Sequence, residues 1–212
     1  MPDVKHFDPD QALDQVVELF WRRGAASTGV GDVVAATGLS RSSLYATFGG
    51  KQELYVAALR CYVERRSGPV LDALATDGRG IPAIAAFFDQ LIQARCEGPY
   101  ARWGCMVSNA HAGTAPPVAA DGPGGEDAQV RQVLEQHHTA LRGAMTAALQ
   151  AARSRSQLRS GVDVDTSADV LALLAYGVNL RSRAGAPAAD LRTTVTAALD
   201  SLRAPDPLVK ES

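Results

Sequence analysis

The chain has 212 residues, 46% of them hydrophobic, with 21 Lys and Arg against 23 Asp and Glu. That is enough chain for one or two small domains with a real core, and a net charge of −2 carries no global signature of nucleic-acid binding. Apolar runs such as "VLALLAYGV" stop well short of the roughly 18 residues a membrane span needs, and "MPDVKHFDPDQ" lacks the basic-then-apolar layout of a secretory signal. Cys61, Cys96 and Cys105 form no C-x-x-C pair, which argues against a disulfide framework or structural zinc and for a reducing compartment. The expectation is a cytoplasmic protein with no membrane association, metal or cofactor.

In chain order, Asp8 can cap a helix that opens at Pro9, with Gln11 at capping-box spacing. Leu13, Val16, Val17 and Phe20 then share one face of a helix ending at Gly24. A short helix is predicted from Val30 to Thr37, and Gly38 supplies a left-handed turn residue. Ser40 can cap a second short helix, Arg41 to Phe48, with Leu44 and Phe48 inward, and a longer helix runs from Lys51 to Arg66. Beyond Gly68-Pro69, helices are predicted over 70–75, 81–96, 104–112, 127–157, 167–181 and 188–202, separated by stretches such as "GTAPPVAADGPGG". No run alternates at period two with β-branched enrichment, so the fold is expected to be all-α.

Two helices of about eight residues around a glycine turn make a helix-turn-helix unit, whose second helix lies in the DNA major groove. Ser42 and Ser43 are short enough to let the backbone approach, and Arg41 can bond guanine O6 and N7 together. Tyr45 offers a hydroxyl to phosphate, and Lys51 opens the next helix, where amide donors and the positive helix end favour phosphate. Between Phe20 and Arg60, Arg22, Arg23, Arg41, Lys51 and Arg60 face only Asp32 and Glu53, a mildly basic segment in a neutral chain. The same spacing occurs in helical bundles that read no DNA, so a helical protein-interaction module remains the alternative. An enzyme with Cys105 as nucleophile and His111 or His137 as base has nothing in the sequence to order those groups.

The stretch "VGDVVAATGLSRSSLYATFGGKQELY" resembles the N-terminal domain of the TetR/AcrR family of transcriptional regulators, through Thr28, Asp32, Val33, Thr37, Gly38, Leu39, Ser40, Arg41, Ser43, Leu44, Tyr45, Phe48, Lys51 and Leu54. The resemblance spans about residues 7–62, and "AYGVNLRSRAGAPAADLRTTVTAALDSL" more weakly resembles the last two helices of family members. It implies a three-helix DNA-binding domain with a helix-turn-helix, followed by a helical ligand-binding and dimerisation domain. The implied divisions are 1–50 for DNA binding, 51–66 as a connecting helix, 67–203 for ligand and dimer, and 204–212 as a disordered tail. The resemblance places Ser40, Arg41, Ser42, Ser43 and Tyr45 at the recognition surface, with Thr47 at its edge, Lys51 on phosphate and Thr28 near the backbone. Gly29 and Gly31 depart from the pattern, where a capping serine and a polar or basic residue are common.

A single such module contacts few base pairs, so a twofold dimer on a pseudo-palindromic duplex operator is expected. The helix over 167–181 is apolar nearly all round, and the next carries a stripe, a pattern that suits a helix buried in its own chain's core as well as a dimer seam; the resemblance makes Leu171, Leu174, Val178, Leu191, Val195 and Leu199 the expected homodimer contacts. Phe87, Phe88, Tyr100, Trp103, Met106 and His111 can line a pocket for an unidentified small-molecule effector. Cys105 joins them: it follows Gly104 at an expected helix start, and "GCMV" resembles a stretch of family members that sense electrophiles or oxidants through cysteine. His137 and His138 are adjacent, which suits no chelate; they are read as a surface or pocket-rim pair. The resulting expectation is a ligand-responsive regulator, most simply a repressor released by its effector.

Overall fold

The computed structural model describes residues 8–113 and 126–205; residues 1–7, 114–125 and 206–212, and with them most of the stretch expected as a disordered tail over 204–212, lie outside the described residues. The described chain is helical throughout, with one isolated antiparallel bridge between Leu158 and Arg203. Helix α1 (Pro9–Arg23) starts as expected: the Asp8 carboxylate accepts the Asp10 amide at 2.9 Å, and Pro9 takes the first turn, where its missing N–H costs nothing. Val16, Val17, Phe20 and Trp21 are its buried face. Helices α2 (Val30–Thr37) and α3 (Arg41–Phe48) flank Gly38, whose φ of +68° is the left-handed conformation that costs a residue with a Cβ about 1–2 kcal/mol.

Helix α4 (Lys51–Tyr62) does not run to Arg66 as a regular helix. It widens into a π-helical turn, Val63–Ser67, and continues without a break into α5 (Gly68–Thr76). The Gly68 amide donates to the Val63 carbonyl, and Pro69 sits in the first turn of α5, where no partner is needed for its nitrogen. Gly-Pro therefore marks a change of helical register instead of the end of a helix. A Cβ at Gly68 would lie 2.9 Å from the Val63 oxygen, so the wide turn also needs the glycine. The remaining helices are α6 (Ile81–Cys96), α7 (Met106–Gly113), α8 (Glu126–Ser154), α9 (Val164–Arg183) and α10 (Ala188–Asp200).

Two buried clusters hold the helices together. One joins α1–α4 to α7 and the first part of α8, through residues such as Phe20, Leu44, Leu59, Met106 and Leu134. The other joins α5, α6, the rest of α8, α9 and α10, around Phe88, Met145, Leu149 and Leu171. Trp21 belongs to the first. Its indole N–H donates to the Gly104 carbonyl at 2.9 Å, and its ring stacks on Tyr100 and meets Tyr62 and Trp103 edge-on, with centroids 4.9–5.3 Å apart. Arg183, at the end of α9, donates to the Trp103 carbonyl at 2.8 Å and the Arg22 carbonyl at 3.2 Å. The end of α1 is thereby bound to the end of α9.

The expected dimer contacts need correction. Leu171, Val178, Leu191, Val195 and Leu199 are buried in the protomer's own core, and Leu174 is half-buried against it. The exposed apolar positions of α9 are instead Val170, Leu173 and Leu180, at 54%, 64% and 42% exposure. With Gly177 they fall at i, i+3, i+7 and i+10, one face of the helix. A helix apolar on two faces does not reveal by periodicity which face its own chain covers.

Candidate nucleic-acid interface and internal cavity

Helix α3 is presented by local chemistry. Ser40 is its N-cap: the Oγ accepts the Ser43 amide at 3.1 Å and lies 2.8 and 2.9 Å from the hydroxyls of Ser42 and Ser43. Ser40 thus spends its hydroxyl on the helix start, which separates it from the other expected recognition residues. Leu44 is buried and Phe48 half-buried against the N-terminal core, while Arg41, Ser42, Tyr45, Ala46 and Thr47 are exposed and Ser43 is intermediate. Tyr45 leaves 48% of its surface open, unusual for an aromatic in so small a domain. Lys51 is the first residue of α4, and Glu53 caps that helix by accepting the Gly50 amide at 2.9 Å.

Gly29 does not leave α2 uncapped. The Asp32 carboxylate turns back to accept the Gly29 amide at 2.8 Å and pairs with Arg23 at 2.9 Å. The amide hydrogen bond first, and the Arg23 guanidinium beside it, hold the Asp32 carboxyl below the usual carboxylate range. Thr28 is corrected: it is 1% exposed, and its hydroxyl donates to the Gly24 carbonyl at 2.7 Å. Its side chain is turned into the fold, fixing the α1–α2 connection, and is out of reach of a duplex.

A cavity of about 290 Å³ lies among the π-helical turn, α5, α6, α8 and α9, at the lower end of small-molecule sites. Of the expected lining, Phe87 and Cys105 are there. The others are elsewhere. Phe88 and Met106 are fully buried in the two cores, and Tyr100 and Trp103 are spent on Trp21. His111 is exposed, with its ring against Tyr176 at 5.2 Å. Polar residues that patterning did not assign also line the cavity, namely Arg66, Ser67, Gln90, Arg95 and Asn179, together with His137. Asn179 had a signal, being a lone amide in the apolar run "LALLAYGVNL"; the arginines had none, because helix ends are ordinarily basic.

His137 lines the cavity, as the pocket-rim alternative expected, and is not a surface residue. It is 5% exposed, and neither ring nitrogen has a hydrogen-bond partner among the described residues. Burial, and secondarily His111 and His138 nearby, push its pKa down to about 4. A histidine neutral in the fold and titrating near 6.5 when unfolded binds more protons in the unfolded state between those values. Its contribution to stability is fully present above pH 6.5 and is lost as pH falls towards 4, by about 3 kcal/mol if the whole shift is expressed. Urea titrations at pH 7 and pH 4.5 should differ less in His137→Leu than in the parent; an unchanged difference would mean that other groups carry the acid sensitivity.

Cys105 is buried and accepts the Tyr62 hydroxyl at 3.5 Å. Arg95 Nη2 donates to the Tyr62 oxygen at 3.1 Å, and Arg95 Nε donates to Asn179 Oδ1 at 2.8 Å. Burial keeps the Tyr62 phenol protonated far above neutral pH. Cys105 itself lies just before α7, and its carbonyl accepts the Asn109 amide at 2.9 Å. Gly104 precedes it at φ +68°, and a Cβ there would sit 3.1 Å from the Asn179 carbonyl oxygen. Only glycine lets this strand of chain pass so close to α9.

Residues 12–58, which hold α2, α3 and most of α1 and α4, match the family described as bacterial regulatory proteins, tetR family. The chain is 27% identical over 182 residues to the HTH-type transcriptional repressor ComR of Escherichia coli K12, covering 86% of this chain and 82% of that protein. It is also 27% identical over 164 residues to the HTH-type transcriptional regulator YezE of Bacillus subtilis 168, covering 77% and 79%. Among solved structures, a cysteine mutant of the TetR family transcriptional regulator CifR, complexed with 26-bp double-strand operator DNA, superposes with a TM-score of 0.76. That match is 22% identical and covers 93% of this chain and 98% of that one. Residues 12–58 are thus a helix-turn-helix segment of the tetR family of bacterial regulatory proteins, and the helices described behind it share the fold of solved regulators of that family.

Proposed function

We propose that this regulator is a cytoplasmic repressor that grips a pseudo-palindromic duplex as a homodimer and lets go when a small molecule occupies the cavity among α5, α6, α8 and α9. The observation that carries the reading is the exposed polar face of α3. Arg41, Ser42, Tyr45 and Thr47 project outward from a helix whose buried Leu44 ties it to the core. ComR, a relative over most of the chain, bears the description of a repressor, and CifR, of like fold, was solved on operator DNA. Both support DNA as the partner here.

The route from cavity to DNA is short. Arg66 and Ser67 belong to the π-helical turn and line the cavity, and that turn continues α4, whose first residue is Lys51. A ligand that favours one setting of this turn moves α4, and with it the spacing of two α3 helices in a dimer. Selection of bound duplexes from a random library at physiological salt tests the reading: a palindromic consensus supports it, and no selectivity leaves the interaction-module alternative.

A second mode of release rests on Cys105, which faces the same cavity. A thiol on a cavity wall is accessible to whatever enters, and an adduct there would occupy the volume a ligand needs. Cys105→Ser is expected to retain duplex binding and to abolish its loss on treatment with N-ethylmaleimide, read by fluorescence anisotropy; equal loss in the variant would remove Cys105 from the mechanism.

A further inference from the structure

The polar groups of the cavity, more than its size, indicate what it holds, and the reasoning rests on the effector-site reading above. Its walls are largely apolar, with Val70, Leu71, Phe87, Leu91 and Leu141 among them, and no carboxylate lines it. Two arginines, Arg66 and Arg95, are among its lining residues. Arg66 is already partnered: its Nη2 lies 3.4 Å from Glu18 Oε1 and 3.4 Å from the Tyr100 hydroxyl.

Arg95 is different. Its hydrogen bonds go to neutral acceptors, Asn179 Oδ1 and the Tyr62 hydroxyl, and its other neighbour is the Trp21 ring, 5.4 Å away. Among the described residues no carboxylate lies within ion-pair distance of it. A guanidinium has five N–H donors, and these bonds engage two. A half-buried cation beside apolar walls, with donors to spare, is a poor arrangement for stability alone and a good one for a planar anion.

His137 is the second observation, independent of Arg95. A neutral imidazole carries one donor and one acceptor, and at 5% exposure both lack a partner among the described residues. Leaving such a group unsatisfied typically costs about 1–3 kcal/mol, which is tolerated most readily where a bound molecule makes the missing bond. His137 lines the same cavity as Arg95, and also a neighbouring one beside the π-helical turn and α5.

We infer that the cavity takes a compact aryl monocarboxylate whose carboxylate bonds the uncommitted edge of Arg95 and whose ring body, lying on the apolar wall, offers one hydrogen-bonding atom to His137. A neutral ligand would leave the Arg95 charge unpaired, and a cation would be repelled by both arginines.

Indole-3-acetate, its amide and tryptamine share one body and differ in head charge, and 1-naphthylacetate keeps the acid but loses the ring N–H. Calorimetry on the full-length chain should find the acid bound at least about tenfold more tightly than the amide, with tryptamine weakest, and 1-naphthylacetate a few-fold weaker than indole-3-acetate. Arg95→Gln should erase the preference for the acid, and Arg95→Lys, which keeps the charge, should retain part of it. His137→Leu should equalise the two acids and raise Tm by about 2–4 °C by removing the unsatisfied imidazole. Should both Arg95 variants fail to fold, the order of acid, amide and amine on the parent decides. Amide or amine binding as well as the acid, or no acid binding up to millimolar concentration, overturns the inference. Duplex selection on the same preparation separates the failures: selective DNA binding without acid binding sinks only the ligand class, whereas acid binding without DNA selectivity sinks the regulator reading and leaves the cavity assignment standing.

Discussion

Arg41→Ala is expected to weaken binding of the selected duplex by between about 30-fold and about 20,000-fold while leaving the helical content unchanged. The range follows from geometry. Arg41 is exposed at the first position of α3, and a bidentate arginine–guanine contact is worth about 1–3 kcal/mol of discrimination. A twofold dimer makes that contact twice, hence about 2–6 kcal/mol, at roughly tenfold per 1.4 kcal/mol. The fold does not depend on this side chain, since the cap is Ser40 and the anchor is Leu44. Specificity should therefore fall before stability does: the variant should bind the consensus and a scrambled duplex more nearly alike. Full affinity in Arg41→Ala, measured by fluorescence anisotropy at fixed salt, would place the base-reading group elsewhere on α3.

Leu173→Glu is expected to convert a dimer into a monomer, halving the mass seen by light scattering from about twice 22.3 kDa to one chain. Leu173 is 64% exposed and stands between Val170 and Gly177 on the uncovered face of α9, with Leu180 beyond. In an isolated protomer the new carboxylate would sit in water at little cost. In a dimer interface built on this face it would be buried without a partner, a cost of several kcal/mol per copy. Leu171→Ala provides the contrast. Leu171 is 1% exposed in the protomer, so its truncation should cost about 2–5 kcal/mol of stability whatever the association state. A parent already monomeric at micromolar concentration, or a dimer that survives Leu173→Glu, would move the interface off this stripe. The dimer and duplex affinities should fall together, because one protomer offers only one α3.

What could be read without coordinates was local. The helix-turn-helix was legible because its determinants lie within a few residues of what they control: Gly38 alone adopts its turn without strain, Ser40 caps the amides just after it, and Leu44 marks the inward face. Asp32 capping Gly29 is equally local, yet glycine at a cap looks like a weakness until the carboxylate is seen to turn back. At Gly68-Pro69 a local signal misled, since a glycine and proline that usually end a helix here permit a widened turn that keeps α4 and α5 continuous.

The rest was decided by packing between distant segments. Tyr100 and Trp103 carry the composition of a ligand wall, but Trp21, some eighty residues earlier, claims them. Adjacent histidines are indistinguishable in sequence, whereas in the fold His137 is buried beside the cavity and His138 stacks on Tyr176 with centroids 6.0 Å apart. Helix α9 is apolar on two faces, and only α6, α8 and α10 packing against one of them leaves Val170, Leu173 and Leu180 as the uncovered stripe. Sequence by itself determined most of the helices, the turn and which residues of α3 face inward, because capping and turn conformation act over three or four residues. Tertiary structure determined the cavity, its unpaired Arg95 and His137, and the free face of α9, because burial depends on which segments meet, and that depends on the whole chain.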